Sequence, residues 1–325
     1  MLKKGDRGPE VKTLQGQLAE FAHDPGKLDG ILGPKTLAAV NSFEGVQGLP
    51  LSGGEILPAT LALLAELAGA PAPTNSSAVL QLVDGILVAP PGSPYVVFQA
   101  PTPEHGQRTK EIDHLILHHT ACKASERPLK DLPRLLDLAG YSQADAARLT
   151  AELGGGPIPS IVALALQGQA EPTRKSSWDF GIGDGPRDYL EGKLPLVQCN
   201  PDMRKRYTWH ATWINKQSLG YEVEYYGYLS EHAGRYYFDG DGPGGAEPRD
   251  VTARLPGGVE TFQGKLCERL HSLTRQAIHD LSRLLCREFG IPVSGVKGHR
   301  DIDPNRRIDP HPAYSVEEVR GAVAA

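Results

Sequence analysis

The chain is organised around one stretch near its end, Gly298-His299-Arg300-Asp301-Ile302-Asp303-Pro304-Asn305-Arg306-Arg307-Ile308-Asp309-Pro310. This stretch offers an imidazole at His299, a guanidinium at Arg307 and a carboxylate at Asp309. Glycine and proline punctuate it too heavily for a helix, so we expect a loop with a fixed path. Such a loop can hold His299 and Asp309 on one metal ion. A surface histidine and a turn-forming aspartate would look the same in isolation, so the rest of the chain has to supply the missing parts.

A second histidine-bearing stretch, Ile112-Asp113-His114-Leu115-Ile116-Leu117-His118-His119-Thr120-Ala121, has the aliphatic core of a buried strand. Side chains alternate along a strand, so His118 shares a face with His114 and Ile116, while His119 lies on the opposite face. The two adjacent histidines therefore cannot both bind one ion. His118 is the candidate ligand because its face is the more polar one. A buried histidine bonded to the backbone is the alternative for either residue.

Length and composition restrict the class of protein. The 325 residues suit about two domains, and 22% charged with 40% apolar residues is ordinary for a folded protein. The net charge of -5 does not favour a nucleic-acid partner, and no apolar run is long enough for membrane insertion. The oligomeric state is left open.

The cysteines and the N-terminus bear on the cellular setting. Four cysteines without CxxC spacing argue against a cysteine-only zinc site and against a disulfide scaffold. Cys267 and Cys286 fall in one long helical pattern and are expected to be buried. The first residues, Met1-Leu2-Lys3-Lys4-Gly5-Asp6, lack the apolar region of a secretory signal. We therefore expect synthesis in the cytoplasm.

Periodic patterns divide the chain into parts. Residues 1–68 read as a three-helix domain whose third helix runs from Pro58 to Leu67, and residues 69–78 as a Pro-rich linker. The second domain covers residues 79–325. Its first part, to Lys110, is broken by prolines and predicts no clear element, and irregular strands that wrap the domain are one interpretation. A helical insertion at about 123–175 contains two helices, Pro128 to Leu138 and Ser142 to Leu153, with Ser142 as an N-cap.

Two further elements of the second domain are predicted. Residues 218–226 read as a strand on which Glu222 and Glu224 share a face, and the flanking aromatic residues make their partial burial plausible. A long amphipathic helix runs from Leu266 to Phe289 and stops at Gly290.

The N-terminal domain resembles the peptidoglycan-binding domain of many cell-wall hydrolases. The residues that carry this resemblance span nearly the full module: Gly5-Asp6-Arg7-Gly8-Pro9-Glu10-Val11, Leu14-Gln15, Leu18, Asp29-Gly30, Gly33-Pro34, Thr36, Ala39-Val40, Phe43 and Gly48-Leu49. One departure is Glu44, where members of that family often have glutamine. A three-helix bundle of unrelated purpose is the alternative.

Taken together, His118, His299 and Asp309 form a candidate catalytic metal site. A catalytic zinc ion uses three protein ligands and leaves the fourth position to water, which then becomes a nucleophile at neutral pH. Hydrolysis of an amide also needs a base that takes the proton of water and gives it to the leaving amine. Glu222 is the candidate for that role.

The second domain resembles the type-2 N-acetylmuramoyl-L-alanine amidases, the zinc family that includes small phage lysozyme-like amidases and animal peptidoglycan-recognition proteins. The resemblance spans about residues 110–320 without the insertion. It is carried by Leu117-His118-His119-Thr120-Ala121, Trp209-His210-Ala211, Ser218-Leu219-Gly220-Tyr221-Glu222, Gly298-His299-Arg300-Asp301 and Asp309-Pro310.

The resemblance implies an α/β fold with a central mixed sheet flanked by helices, and one catalytic Zn²⁺. It places the zinc ligands on His118, His299 and Asp309 and the acid/base on Glu222. Arg307 stands where the family often has lysine, and either cation could stabilise an oxyanion, so the contribution of Arg307 is the least secure assignment.

The implied reaction is cleavage of the amide between N-acetylmuramic acid and L-alanine in bacterial peptidoglycan. Trp209 and His210 are candidate substrate contacts, and a role in the core is equally plausible for His210.

Two other functions fit parts of the pattern. A peptidoglycan-recognition protein without catalysis would lack a ligand, whereas all three ligand types are present here. A cytoplasmic amidase that recycles soluble muropeptides would not need a wall-binding domain. We therefore expect an enzyme that acts on the cell wall after release, by phage lysis or by a secretion machine, and sequence does not choose between these routes.

Overall fold

The computed structural model describes most of the chain. The described residues are 2–20, 23, 25–46, 51–58, 60, 61, 64, 80–102, 105–119, 129–153, 157–170, 177–185, 192–238, 249–252, 255, 258–262, 264–307, 309, 310 and 314–324. The chain divides into two compact units, Met1–Ser76 and Ser77–Ala325. The predicted linker at residues 69–78 lies outside the described residues.

The second unit contains both helices and strands, while the elements described in the first unit are helices. The helices are α1 (Pro9–Glu20), α2 (Pro34–Val46), α3 (Leu132–Leu138), α4 (Gln143–Glu152), α5 (Ser160–Ala170), α6 (Ser272–Phe289), α7 (His299–Ile302) and α8 (Val316–Ala324). The strands are β1 (Gln81–Val83), β2 (Ile86–Val88), β3 (Tyr95–Gln99), β4 (Gly106–Gln107), β5 (His114–His119), β6 (Phe180–Ile182), β7 (Leu194–Gln198), β8 (Arg206–Tyr207), β9 (Ser218–Val223), β10 (Ser230–His232), β11 (Arg235–Phe238), β12 (Arg249–Asp250), β13 (Val259–Phe262), β14 (Lys265–Glu268) and β15 (Val296–Gly298).

None of the helices within these ranges has both the length and the apolar character needed to cross a membrane.

The first unit is built from α1, α2 and a third helical segment that includes Pro58, Thr60, Leu61 and Leu64. The buried amide of Gln15 fastens the connection between α1 and α2. Its Oε1 accepts from the backbone N–H of Gly30 at 2.8 Å, and its Nε2 donates to the carbonyl of Ile31 at 3.1 Å. Gly30 has φ of 73°, and a Cβ there would lie 2.9 Å from the carbonyl oxygen of Gly8. A side chain would therefore not fit at this turn.

The structure accounts for glutamate at position 44. The fully buried carboxylate of Glu44 accepts from the backbone N–H of Ser52 at 2.6 Å, from the Ser52 hydroxyl, and from the Thr60 hydroxyl at 2.5 Å. All three partners act as donors to the two carboxyl oxygens of Glu44. The acid thus ties the segment after α2 to the third helical segment.

A six-stranded mixed sheet forms the centre of the second unit, in the order β15-β5-β9-β6-β7-β3. Strands β15, β5, β9 and β6 run parallel to one another. Strand β7 is antiparallel to β6 and parallel to the edge strand β3. The predicted mixed sheet is confirmed. The stretch before Lys110, which predicted no element, contributes the edge strand β3.

Helices cover both faces of this sheet. Helices α6 and α8 pack on the face that carries Leu115 and Leu117. The three inserted helices α3, α4 and α5 pack on the other face, against Phe98 and Val197 near the β3 edge. At the β5 end of that second face, Ile116 packs against Ala211 and Ile214 instead. The strand alternation predicted for residues 114–119 is therefore confirmed.

Two predictions about helices need correction. The long helix begins at Ser272, with His271 as its N-cap, because residues 265–268 pair with β13 as a strand. Cys267 is therefore buried in a strand and Cys286 in α6. The insertion contains a third helix, α5, in addition to the two expected. The N-cap at Ser142 and the stop at Gly290, which has φ of 67°, are as predicted.

Helix α8 is held against α6 by an ionic cluster around Glu318. The carboxylate accepts from Arg275 Nη1 at 2.5 Å and from His279 Nε2 at 2.9 Å. Burial raises the pKa of Glu318, but the hydrogen bonds from His279 and Arg275 outweigh it and hold the pKa at about 2. The folded state therefore favours the ionised carboxylate.

This cluster predicts a defined pH dependence of stability. Because the folded-state pKa of Glu318 is depressed, its contribution is present above the unfolded value of 4.5 and is lost as the pH falls towards 2. We expect Glu318→Gln to lower the free energy of unfolding by about 1 to 2 kcal/mol near neutral pH, allowing for partial solvent screening. The difference from the wild type should shrink in acid. Urea unfolding of both proteins across this pH range is the measurement, and a difference that does not change with pH would contradict the assignment.

Candidate functional site

The site lies where three neighbouring parallel strands end. β5 pairs with β15 on one side and with β9 on the other. His118 is the penultimate residue of β5 and stands in register with Glu222 of β9, and His299 follows directly after β15. The carboxyl ends of parallel strands meet at one edge of a sheet, where ligands commonly bind. Topology thus brings these side chains together.

Three of the predicted ligands converge on one point. His118 Nδ1 lies 2.9 Å from His299 Nδ1 and 3.2 Å from Asp309 Oδ2, and His299 Nδ1 lies 3.1 Å from the same carboxylate oxygen. All three residues are buried, and their ligand atoms lie within 4.8 Å of one another. Two imidazole nitrogens that face each other across a carboxylate make a donor set that can hold a metal ion.

The segment from 298 to 310 is not the irregular loop that its glycine and prolines predict. His299–Ile302 forms a helical turn, and Asp301 accepts from the backbone N–H of Gly298 at 2.9 Å. The N–H of Arg300 then donates to the carbonyl of Asp309 at 3.0 Å. This bond joins the two ends of the segment, so the expectation of a fixed path is met by a different local structure.

Gly298 is required by close packing at the start of this segment. A Cβ at this position would lie 2.6 Å from Cδ of Pro310 and 3.1 Å from a methyl group of Val316. Pro310 is the neighbour of Asp309, so a side chain at 298 would push on the carboxylate's own backbone.

The protonation states of His118 and Asp309 suit a bound cation. Burial lowers the pKa of His118 to about 4, although Asp309 acts in the opposite direction. Burial raises the pKa of Asp309. Its hydrogen bonds with His118 and His299 lower the pKa by more than burial raises it, so the pKa lies below the usual range of an aspartate. A neutral imidazole and an ionised carboxylate are the forms in which these side chains bind metals.

Glu222 is a half-buried residue with a constrained carboxyl group. Its Oε2 is covered and has no hydrogen-bond partner among the described residues. Burial raises the pKa of Glu222 well above its usual value, Asp309 adds to the rise, and Arg307 opposes it. A carboxyl group with a raised pKa beside a ligand cluster is suited to proton transfer.

Arg307 lies at the surface of the same segment. Its side chain is exposed, and its backbone N–H donates to the carbonyl of Asp303 at 3.0 Å. Its charge acts on Glu222 and on His118. The structure therefore places this cation near the ligand cluster, on the side open to solvent.

The two candidate substrate contacts are placed differently. Trp209 is half-buried and packs edge-on against Tyr207 with ring centroids 5.1 Å apart. The side chain of His210 has no exposed surface, and its Nδ1 lies 3.3 Å from His118 Nε2. Burial, followed by the charges of His118 and His299, holds the pKa of His210 well below its usual value. His210 thus stands behind the ligand cluster.

Two further residues, Tyr314 and Asp179, lie near the site and were not predicted from the sequence. Tyr314 donates its hydroxyl to the backbone carbonyl of His118 at 2.8 Å. Asp179 is fully buried and accepts from Asn200 Nδ2 at 2.7 Å and from the N–H of Gly220 at 2.8 Å. Neither belongs to a motif, and the only signal in the sequence was the charged Asp179 inside the stretch 176–182, whose pattern predicts a strand.

Comparisons with known proteins follow the division of the chain. A family model of the peptidoglycan binding domain matches residues 7–64, and the family model of N-acetylmuramoyl-L-alanine amidase matches residues 108–312. No curated protein matches the chain in sequence.

Solved structures that resemble the chain are remote in sequence. A selenomethionine derivative of AmpD is 17% identical with a TM-score of 0.40, covering 74% of this chain and 98% of that one. AmiD from E. coli, solved with anhydro-N-acetylmuramic acid-L-Ala-D-γ-Glu-L-Lys, is 17% identical with a TM-score of 0.35, covering 75% and 65%. The amidase LysC from Clostridium intestinale is 14% identical with a TM-score of 0.33, covering 70% and 97%.

The close packing at Gly298 predicts a local destabilisation. We expect Gly298→Ala to lower the free energy of unfolding by about 1 to 3 kcal/mol, because backbone and side chains must move to admit the methyl group. Gly321→Ala in α8 is the matched control, since a Cβ there meets nothing within 4 Å. That control should stabilise the helix by roughly 0.5 to 1 kcal/mol. Denaturant unfolding of both variants is the measurement, and equal effects would contradict the packing argument.

Proposed function

The chain belongs to the N-acetylmuramoyl-L-alanine amidase family, and from this premise we propose how its own residues cleave peptidoglycan. It is a peptidoglycan amidase. The proposal is that His118, His299 and Asp309 hold one zinc ion, beside which Glu222 transfers the proton in cleavage of the bond between N-acetylmuramic acid and L-alanine. The convergence of three ligand atoms at the end of β5, with Glu222 in register, carries it.

The donor set fits zinc. Nitrogen and oxygen ligands about 2.0 to 2.1 Å from a tetrahedral zinc ion lie about 3.3 Å from one another. The three separations in the structure are 2.9, 3.1 and 3.2 Å. When bound, zinc would polarise the scissile carbonyl group and increase the acidity of water.

Glu222 handles the proton. Water adds to the carbonyl carbon, and the carbon–nitrogen bond breaks. We assign to the Glu222 carboxylate the transfer of a proton from that water to the leaving nitrogen of L-alanine. Its buried Oε2 has no partner among the described residues, so its hydrogen-bonding capacity is available.

Arg307 and Trp209 complete the proposed site. Arg307 offers a permanent positive charge from the solvent side, where it can stabilise the oxyanion that forms on the carbonyl oxygen. Trp209 is the proposed substrate contact of the Trp209-His210 pair. His210 has no exposed side-chain surface with which to touch a substrate.

The first unit supplies attachment to the substrate. We assign residues 1–68 as a wall-binding domain, 69–78 as a linker and 79–325 as the amidase domain. The two family matches, to residues 7–64 and 108–312, support this division. Attachment raises the local concentration of substrate without changing the chemistry. We propose that the protein acts on the cell wall after release through phage lysis or a secretion machine. A preference for intact sacculi over soluble muropeptides would support this over a recycling role.

The proton-transfer assignment predicts a selective loss of turnover. Glu222→Gln keeps the shape of the side chain but removes the base, so kcat for release of stem peptides should fall by roughly 10²- to 10⁴-fold. Zinc content should be unchanged, because Glu222 is not a ligand. Glu231→Gln, at an exposed position of β10, is the control and should retain full activity. Wild-type turnover by Glu222→Gln would refute the assignment.

The ligand assignment predicts the effect of metal removal. A chelator should abolish release of stem peptides from purified sacculi, and added zinc should restore it. Asp309→Ala should lower zinc affinity by at least about a hundredfold. Loss of a residue that only hydrogen-bonds to a metal ligand already lowers affinity by up to about that factor. Asp303→Asn is the control in the same segment, because Asp303 pairs with the exposed Arg306 instead. Competition titration with a chromophoric chelator measures the affinities, and tight binding by Asp309→Ala would exclude this ligand set.

A further inference from the structure

We propose that His210 is a positioning residue that fixes the ring of His118 in its metal-binding orientation through a buried imidazole-to-imidazole hydrogen bond. This inference rests on the proposed zinc site. The sequence leaves His210 as either a candidate substrate contact or a core residue, and the inference gives it instead a role in holding a candidate metal ligand.

The two ring nitrogens of His118 face different partners. Nδ1 points to His299 and Asp309, at 2.9 and 3.2 Å, while Nε2 lies 3.3 Å from Nδ1 of His210. If Nδ1 offers its lone pair to a metal, the ring proton must be on Nε2. His210 then has to present an unprotonated Nδ1 as the acceptor. Metal-binding histidines generally donate their second N–H to such a partner, which sets the tautomer and the ring orientation.

The surroundings of His210 enforce that tautomer. With Nδ1 as acceptor, its proton lies on Nε2, which is 3.3 Å from the hydroxyl oxygen of Ser218. Ser218 uses its own proton to donate to the carbonyl of Ile214 at 3.0 Å, so its oxygen is free to accept. The carboxylate of Asp179, 3.9 Å from His210 Nε2, also favours a proton on that nitrogen. Donation therefore runs in one direction, from His118 through His210 and Ser218 to a backbone carbonyl.

The fold reserves a place for this ring. The backbone N–H groups of His210 and Ala211 both donate to Asn215 Oδ1, at 3.2 and 2.6 Å, which fixes the chain at the root of the side chain. Gly220 lies opposite the His210 ring and has no side chain, which leaves room for the ring. A Cβ at position 220 would lie 2.3 Å from His210 Nδ1. The rings of His118 and His210 meet edge to face, with an angle of 87° between their planes. The surrounding structure therefore holds both partners of this hydrogen bond in fixed positions.

Two substitutions at position 210 separate this role from simple filling of the core. His210→Leu removes the acceptor, while the amide oxygen of His210→Asn can take the place of Nδ1. We expect His210→Leu to bind zinc about ten- to a hundredfold more weakly than the wild type, and His210→Asn to recover most of that loss. In the cobalt-substituted protein, the visible absorption bands should shift for His210→Leu and return towards the wild-type spectrum for His210→Asn. The melting temperatures of the metal-free variants show whether each remains folded.

Ser218→Ala provides a second route if His210→Leu does not fold. It leaves the ring in place but removes its anchor, so zinc affinity should fall by a smaller factor, about two- to tenfold. Ser282→Ala is the matched control. Ser282 is a buried serine of α6 whose hydroxyl lies 2.9 Å from that of Tyr221, and the variant should bind zinc as the wild type does.

Each outcome bears on the inference. Graded zinc affinity in the order wild type, His210→Asn, His210→Leu supports it. Equal zinc binding by wild type and His210→Leu overturns the inference while leaving the zinc site intact. An equal loss of zinc affinity in His210→Leu and His210→Asn also overturns the inference. A wild-type protein that binds no zinc overturns the metal site itself and this inference with it. The wild-type titration thus distinguishes failure of the proposed function from failure of the positioning role.

Discussion

The backbone hydrogen bonds that pair β5 with β15 on one side and β9 on the other hold three strand ends at one edge of the sheet. His118, Glu222 and the residue after β15, His299, reach the same place because of this pairing. Register is critical, since a shift by one residue would turn His118 towards the core beneath α6. The hydrogen bond from the N–H of Arg300 to the carbonyl of Asp309 then brings Asp309, the third candidate ligand, back to His118 and His299.

Polar groups buried in this region fall into two kinds. Asp179 is fully buried, yet its carboxylate accepts from Asn200 and from Gly220, so the cost of its burial is largely offset. Glu222 has a covered oxygen without a partner in the described part of the chain, and the Nδ1 atoms of His118 and His299 face each other at 2.9 Å. A covered oxygen without a partner, and two imidazole nitrogens held this close together beside one carboxylate oxygen, are destabilising unless a ligand uses them. The fold tolerates them at this edge of the sheet, while the neighbouring buried carboxylate of Asp179 is hydrogen-bonded.

Sequence patterns predicted best the features that depend on neighbours along the chain. The N-cap at Ser142, the left-handed stop at Gly290 and the alternation of side chains along β5 all follow from local backbone geometry. The patterns failed where a distant partner decided the structure. Residues 265–268 continue the apolar spacing of α6 but form a strand, because β13 lies beside them. Helix α5, Ser-Ile-Val-Ala-Leu-Ala-Leu-Gln-Gly-Gln-Ala, is apolar around most of its circumference, so it shows little helical periodicity.

The candidate site divides in the same way. From the sequence alone one can name the candidate ligand types, a candidate acid/base carboxylate and the face of β5 on which His118 stands, because these depend on residue identity and on the alternation of strand side chains. Only the tertiary structure shows that His118 and His299, 181 positions apart, meet at 2.9 Å, and that His210 lies behind them rather than towards a substrate. The order of strands and the packing of the segments between them set these distances. Both result from contacts between parts of the chain that are far apart in sequence, which no local pattern records.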